Sequence, residues 1–448
     1  MRTDMRRVLR RLTAGVLSAC FLMSTFGNAS ITGRAQETDL SLYATAAVLL
    51  DADSGRVLYE KQGYTPMAMA STTKIMTCIL VLEEGELDDT AQVSAYAASM
   101  PKVKMYARQG EEYEVRSLLF SLMLESHNDS AVILAEYIGK RYLPAELQKK
   151  DTSDFTVEES RQAVKAFANL MNGKARELGC ENTWFITPNG LDATESFETA
   201  GGEVIQKEHC TTAAELARIM AYCVKESPGR DVFREITRTS SYSFYENGRN
   251  VTCTNHNAFL SMMDGAFSGK TGFTNKAGYC YVGALERDGK TFIVALLACG
   301  WPNNKSYKWS DSRELFEYGL ENYVFRMFLN EDTIFDEAQL KPIVVENGQT
   351  AVLGDTARVE VEISERSGER FWNTEGMLLR EDEDIQVECE METELQAPVK
   401  AGMQVGTIRY SVDGEVYLTE TIVTKSGVER IEMPWCAEQI FDRFLLFY

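Results

Sequence analysis

The sequence predicts an α+β protein: helices packed on an antiparallel sheet, followed by a small all-β domain and a C-terminal amphipathic helix. Three observations lead there. Strand-type runs lie near both ends of residues 37–329, with helical periodicity between them. Around Asn330-Glu331-Asp332 the texture shifts, and residues 335–425 become short Val-, Ile- and Thr-rich runs separated by Gly, Asp and Asn. In residues 434–448, Ala437, Ile440, Phe441, Phe444, Leu445 and Tyr448 recur at helical spacing. A chain of 448 residues also exceeds what one ordinary core holds, so two folded domains are expected.

The elements follow in order. Residues 1–29 read as an export signal: Arg2, Arg6, Arg7, Arg10 and Arg11 precede an apolar stretch from 12 to 26, and Gly27-Asn28-Ala29 supplies small residues for cleavage. Gly33-Arg34-Ala35 is a second cleavage candidate, and Leu17-Ser18-Ala19-Cys20 is similar to a lipoprotein box. Two β-type runs around Asp51-Ala52-Asp53-Ser54-Gly55 form a hairpin. Residues 71–82 are apolar nearly all round, as in a helix buried inside a domain. Residues 115–138 are helical but interrupted by Glu125-Ser126-His127-Asn128-Asp129, and helices follow at 161–178 and 212–224. Strands return after Phe244, with turns at Asn247-Gly248 and Asp288-Gly289, and a helix is expected at 312–328. For the tail two readings compete, a helix lying in a membrane interface or one docked on its own β domain.

Composition excludes some functions. Acidic residues outnumber basic ones, 67 to 46, for a net charge of −21, and such a surface repels nucleic acid. Beyond Cys20 there are nine cysteines without Cys-x-x-Cys pairs, which gives neither a disulfide framework nor a zinc site. Most lie in apolar runs and read as small buried hydrophobes.

Three polar signatures carry the chemistry. Ser71-Thr72-Thr73-Lys74 opens the buried helix, so Ser71 and Lys74 share a face. The lysine can take the serine's proton only when neutral, which burial and a second cation favour. The motif alone is weak, because Ser99-Met100-Pro101-Lys102 repeats it, and an N-capping serine beside a surface lysine would look the same. Ser126-His127-Asn128 offers a hydroxyl to relay protons and the Asn128 amide to hold a substrate backbone; a loop satisfied by its own caps is the alternative. In Lys270-Thr271-Gly272, Lys270 and Thr271 suit a substrate carboxylate, and Gly272 permits close backbone approach. The N–H groups of Ser71 and Phe273 are expected to form an oxyanion hole. His127 is read as a cleft-side residue, and His209 and His256 give little support to a histidine metal site.

The ordered trio resembles penicillin-recognising serine enzymes. The run Lys270-Thr271-Gly272-Phe273-Thr274-Asn275-Lys276-Ala277-Gly278-Tyr279-Cys280 is similar to the low-molecular-mass D-alanyl-D-alanine carboxypeptidases in particular. So are Ala68 through Thr77, Ser126 through Ser130, Thr187-Pro188-Asn189-Gly190-Leu191 and the stretch from Ala397 to Gly402. His127 departs from the small residue usual at its position. The resemblance implies that Ser71 attacks the carbonyl between two terminal D-alanines of a peptidoglycan stem peptide. Lys74 would accept its proton, Ser126 would relay one to the departing D-alanine, and Asn128, Lys270, Thr271, Gly272 and Phe273 would bind substrate. It implies no metal or other cofactor, inhibition by β-lactam antibiotics, limited wall crosslinking, and a place on the outer face of the cytoplasmic membrane. Class A β-lactamases share the trio but use a Glu-x-x-Leu-Asn run, which is missing between the second and third signatures. A silent β-lactam-sensing or wall-binding protein would be expected to have lost Ser71 or Lys74.

Overall fold

Five strands with apolar residues on both faces make the central sheet. The computed structural model describes residues 40–198, 204–330, 333–352, 354–368 and 375–445. The expected export signal lies outside them. Strands β1 (Ala46–Asp51), β2 (Val57–Lys61), β3 (Ala266–Thr274), β4 (Gly278–Arg287) and β5 (Lys290–Leu297) pair antiparallel in the order β2-β1-β5-β4-β3. Side chains alternate across a strand, so Ala46, Val48 and Leu50 enter one core while Ala47 and Leu49 enter another on the opposite face. The sheet is therefore sandwiched between helices. β3 is its outer strand, with one edge free of sheet partners.

The first face carries most of the helices. In α1 (Lys74–Glu84) every residue from Lys74 to Val81 is buried, as its all-round apolar sequence requires. The predicted helix over 115–138 is broken at its polar insert. α2 (Val115–Phe120) passes into a π-helical turn (Ser121–Glu125), Ser126 turns left-handed at φ 63°, and α3 (Asn128–Gly139) starts afresh. α4 (Val157–Glu177) is set by a capping box between Thr156 and Glu159, and α5 (Ala213–Lys225) and α6 (Arg230–Arg238) complete this layer. On the other face α7 (Tyr307–Asn322) packs Leu315, Phe316 and Tyr318 against Leu49, Phe292 and Leu296. It starts and ends earlier than the predicted 312–328. Tyr323 is already extended, and Val324–Met327 pairs with Gly376–Leu379 as a strand, which suits its β-branched and aromatic residues. The Asn247-Gly248 turn has φ of 52° and 71°, both positive as a tight hairpin demands.

Beyond α7 the described residues are strands and loops, with a single 3-10 turn (Glu337–Gln339), until the last helix. A three-stranded sheet built on Ile343–Glu346 and a four-stranded sheet ending in Glu415–Thr424 enclose their own core of Val345, Val359, Ile408, Tyr410, Leu418 and others. This module is tied to the first hairpin. Arg56 forms a bidentate pair with Glu383 at 2.6 and 2.8 Å, and Leu378 N donates to Asp51 Oδ2 at 3.1 Å. The tail forms α8 (Met433–Leu445), on which Met433, Ile440 and Phe441 are exposed. Among the described residues no helix is long and apolar enough to cross a membrane.

Candidate active site

The site forms where the start of α1 meets the start of α3 and the outer strand β3. Ser71 lies in a 3-10 turn (Ala70–Thr73) that feeds directly into α1, so it precedes the α-helix by one turn and does not cap it. Lys74, the first α-helical residue, is fully buried. Its Nζ has three oxygen neighbours: Ser71 Oγ at 2.9 Å, Asn128 Oδ1 at 3.0 Å and the carbonyl of Asn189 at 2.6 Å. Burial first, and then the charge of Lys270, push the Lys74 ammonium well below its ordinary range, with Asp129 opposing them.

The broken helix explains Asn128 and Ser126. The π-turn and the left-handed Ser126 reverse the chain so that α3 begins at the site and Asn128 points inward from its first turn. Asn128 Nδ2 donates to Pro101 O at 3.2 Å, which orients the amide with its oxygen toward Lys74. Asp129 anchors the facing loop by accepting from Met105 N at 2.9 Å and Ala107 N at 3.1 Å. The buried Ser126 Oγ has no hydrogen-bond partner among the described residues. His127 is held by Ser121 Oγ at 2.8 Å, and burial lowers its pKa.

β3 brings the third signature. Lys270 is buried, its Nζ donates to Thr271 O at 3.0 Å, and desolvation brings its pKa down to about 7. A Cβ at Gly272 would lie 2.9 Å from Ser71 N, so only glycine lets the strand pass the nucleophile turn this closely. Phe273 pairs with Tyr279, whose own N–H and C=O bond Gly300 and Cys299 on the β5 side. The Phe273 N–H and C=O therefore point off the free edge of the sheet, beside the Ser71 turn. Its ring is exposed and packs against Tyr279 at 4.7 Å.

The structure thus brings Ser71, Asn128 and the Asn189 carbonyl to the Lys74 amine, Gly272 against the Ser71 turn and Lys270 close enough to shift the Lys74 charge, with Ser126, Thr271 and Phe273 adjoining in the chain. The Ser99 and Lys102 side chains are not part of the site, although Pro101 O between them accepts from Asn128. Ser99 ends a one-turn helix with its hydroxyl on Tyr96 O, and both Ser99 and Lys102 are exposed. Sequence reasoning assigned nothing to Asn189, which acts through its backbone carbonyl, so its residue type carries no signal of the contact. His209, read from the sequence only for a metal site, lies buried with Nε2 2.8 Å from Thr73 Oγ1. Among the described residues no group of three or more His, Cys, Asp or Glu is placed to hold a metal ion.

A serine touching a desolvated lysine, beside the free edge of a sheet sandwiched by helices, defines a serine-type hydrolase of the acyl-enzyme class. Within it, the chain belongs to the D-alanyl-D-alanine carboxypeptidase family, whose profile matches residues 32–141 and 160–299. Residues 379–430 match the C-terminal domain of penicillin-binding protein 5. The D-alanyl-D-alanine carboxypeptidase DacF of Bacillus subtilis is 25% identical over 436 residues, covering 95% of each chain. The D-alanyl-D-alanine carboxypeptidase of Streptomyces sp. strain K15 is 29% identical over 327 residues, 69% of this chain and 98% of that protein. The fold matches penicillin binding protein 5 of Haemophilus influenzae with a TM-score of 0.61 at 20% identity, covering 88% of this chain and all of that one.

Proposed function

We propose that this carboxypeptidase removes the terminal D-alanine of peptidoglycan stem peptides through an ester on Ser71, with Lys74 as the base. The surroundings of Lys74 Nζ carry the reading. Asn128 Oδ1 and Asn189 O can only accept hydrogen bonds, whereas the Ser71 hydroxyl can donate. A neutral amine placed there spends its two N–H groups on the two carbonyls. Its lone pair then faces the Ser71 proton. Burial and Lys270 supply the neutrality.

The reaction follows from this placement. Lys74 takes the Ser71 proton as Oγ bonds to the penultimate D-alanine carbonyl. The oxyanion is met by the N–H groups of Ser71 and Phe273. The C–N bond then breaks, and the proton passes by way of Ser126 to the leaving amine. The unpartnered Ser126 Oγ supports this relay, because a buried hydroxyl without a partner is costly unless substrate completes it. Lys270 and Thr271 hold the departing carboxylate, and Asn128 holds the peptide backbone. Water, deprotonated by Lys74, cleaves the ester, which makes the net reaction hydrolysis.

Penicillin-like β-lactams acylate the same serine in this reading. Residues 37–329 form the catalytic domain and 335–425 the β-rich domain. The protein works outside the cytoplasmic membrane after loss of residues 1–29. α8 lies in the membrane interface, supported by its exposed Met433, Ile440 and Phe441. The test is a labelled penicillin mapped by peptide mass, with D-alanine release from a stem-pentapeptide mimic measured alongside. The adduct is expected on Ser71, and Ser71→Ala is expected to lose both. Turnover by Ser71→Ala at the unmodified rate sinks the mechanism, and rapid loss of the adduct marks a β-lactamase instead.

A further inference from the structure

His209 lies between the two backbone segments that meet at Lys74. Its Nδ1 accepts from Ile186 N at 3.0 Å and Thr187 N at 3.4 Å, so this nitrogen carries no proton. The proton is therefore on Nε2, which donates to Thr73 Oγ1 at 2.8 Å. Thr73 Oγ1 in turn donates to the Ala70 carbonyl at 2.8 Å. Ala70 sits at φ 50°, an unfavourable conformation for a residue with a side chain, directly before the nucleophile. Gly190 presses on the same turn: a Cβ there would meet Ala70 O at 1.9 Å and Thr73 Oγ1 at 2.9 Å. Burial brings the His209 pKa down to about 3, so the imidazole stays in its neutral tautomer.

We infer that His209 is a positioning residue that locks the Ser71 turn to the 186–190 loop through Thr73. The lock sets the Ser71 hydroxyl and the Asn189 carbonyl at their distances from Lys74 Nζ. It serves the acylation step proposed above and rests on that reading. The effect is on geometry: Ser71, Lys74 and the Asn189 carbonyl come from a 3-10 turn, a helix start and a loop, and His209 bridges turn and loop from outside the reacting groups, whereas the other links between them run through Lys74 Nζ and Ser71 Oγ themselves.

The test compares two variants with one control. Thr73→Val removes the hydroxyl at nearly constant shape. His209→Asn keeps an acceptor for the amides of Ile186 and Thr187 but is too short to reach Thr73. Arg56→Met breaks the ion pair with Glu383 at the opposite edge of the sheet and so lowers stability without touching the lock. Acylation at saturating fluorescent penicillin is expected to slow about 10-fold or more in both lock variants, since small misplacements of reacting groups cost this much. The KM for a D-Ala-D-Ala peptide should move less than about 2-fold, because the carboxylate clamp is unchanged. Arg56→Met should acylate at the unmodified rate despite a lower Tm. The inference is overturned if both lock variants acylate within about 2-fold of the unmodified protein, or if Arg56→Met slows equally for an equal loss of Tm. Thr73→Val decides alone should His209→Asn not fold. Absence of a Ser71 adduct in the unmodified protein overturns the acyl-enzyme reading itself, which separates the two failures.

Discussion

Replacing Lys270 by Met should change both the height and the shape of the pH–rate profile. Lys270 is buried and makes one hydrogen bond among the described residues, to Thr271 O, which leaves two ammonium protons for a substrate carboxylate. A hydrogen bond to a charged group is worth roughly 1.5–3 kcal/mol, so kcat/KM should fall about 10- to 150-fold at neutral pH. On the proposed roles, kcat/KM of the unmodified enzyme requires Lys74 neutral and Lys270 charged, so it should rise with pH through the lowered Lys74 pKa. It should fall again above about 7, where Lys270 loses its proton. In Lys270→Met the descending limb should vanish. The ascending limb should move to higher pH, because a cation that disfavours the Lys74 ammonium has gone. The assay is D-alanine release from a stem-peptide mimic at substrate well below KM across the pH range. A descending limb that survives at the same pH, or a loss below about 3-fold at neutral pH, refutes the clamp.

Three further outcomes are expected. Lys270→Met should also stabilise the protein at low pH. A lysine whose folded pKa is about 7 against an ordinary 10.5 binds its proton more readily unfolded, so its penalty is full below 7 and gone above 10.5. The gain, on the order of 5 kcal/mol near pH ~6, should shrink below about 1 kcal/mol near pH ~10, as urea unfolding at both pH values will show. Asn128→Asp puts a carboxylate where Oδ1 lies 3.0 Å from Lys74, raises the lysine pKa, and should move the acid limb of acylation upward by about 1–3 pH units. Gly190→Ala, at φ 83° and with its Cβ 1.9 Å from Ala70 O, should cost about 2–4 kcal/mol in unfolding experiments and acylate poorly even when folded.

The α+β order, the buried α1 and the hairpin turns were legible because each has a local cause: all-round apolarity, period-two alternation, or glycine and asparagine at positive φ. The boundaries that moved were set by partners distant in sequence. Val324–Met327 continues the apolar pattern of α7, and only its pairing with Gly376–Leu379 makes it a strand. At the site, most residues found by sequence contribute side chains, and Gly272 and Phe273 were legible from the Lys-Thr-Gly signature beside them. Asn189 contributes a carbonyl, and His209 acts through Thr73; no residue type advertises either role. The departure of Ser71 from the helix cap was equally hidden, since the 3-10 turn is held by Gly190 pressing on Ala70 and by Thr73 bonding its carbonyl.

The two buried lysines pull in different directions, and the fold reconciles them. As the proposed base, Lys74 must be uncharged, and the core surrounds it with helix and carbonyl oxygens, with no carboxylate among the described hydrogen-bond partners of its Nζ. Asp129 is nearest in effect, but its two oxygens accept from Met105 and Ala107, so it steadies the loop instead of pairing with the amine. Lys270 must be charged to hold a carboxylate, and its folded pKa near 7 leaves that charge poised. An arriving carboxylate favours the Lys270 proton, and the resulting cation disfavours a proton on Lys74. On the proposed roles, substrate binding therefore prepares the base: the lysine that holds the D-alanine carboxylate also drives Lys74 toward the neutral form that takes the Ser71 proton. A ligand lacking the carboxylate forfeits this coupling as well as the clamp, so it should lose acylation rate and not affinity alone.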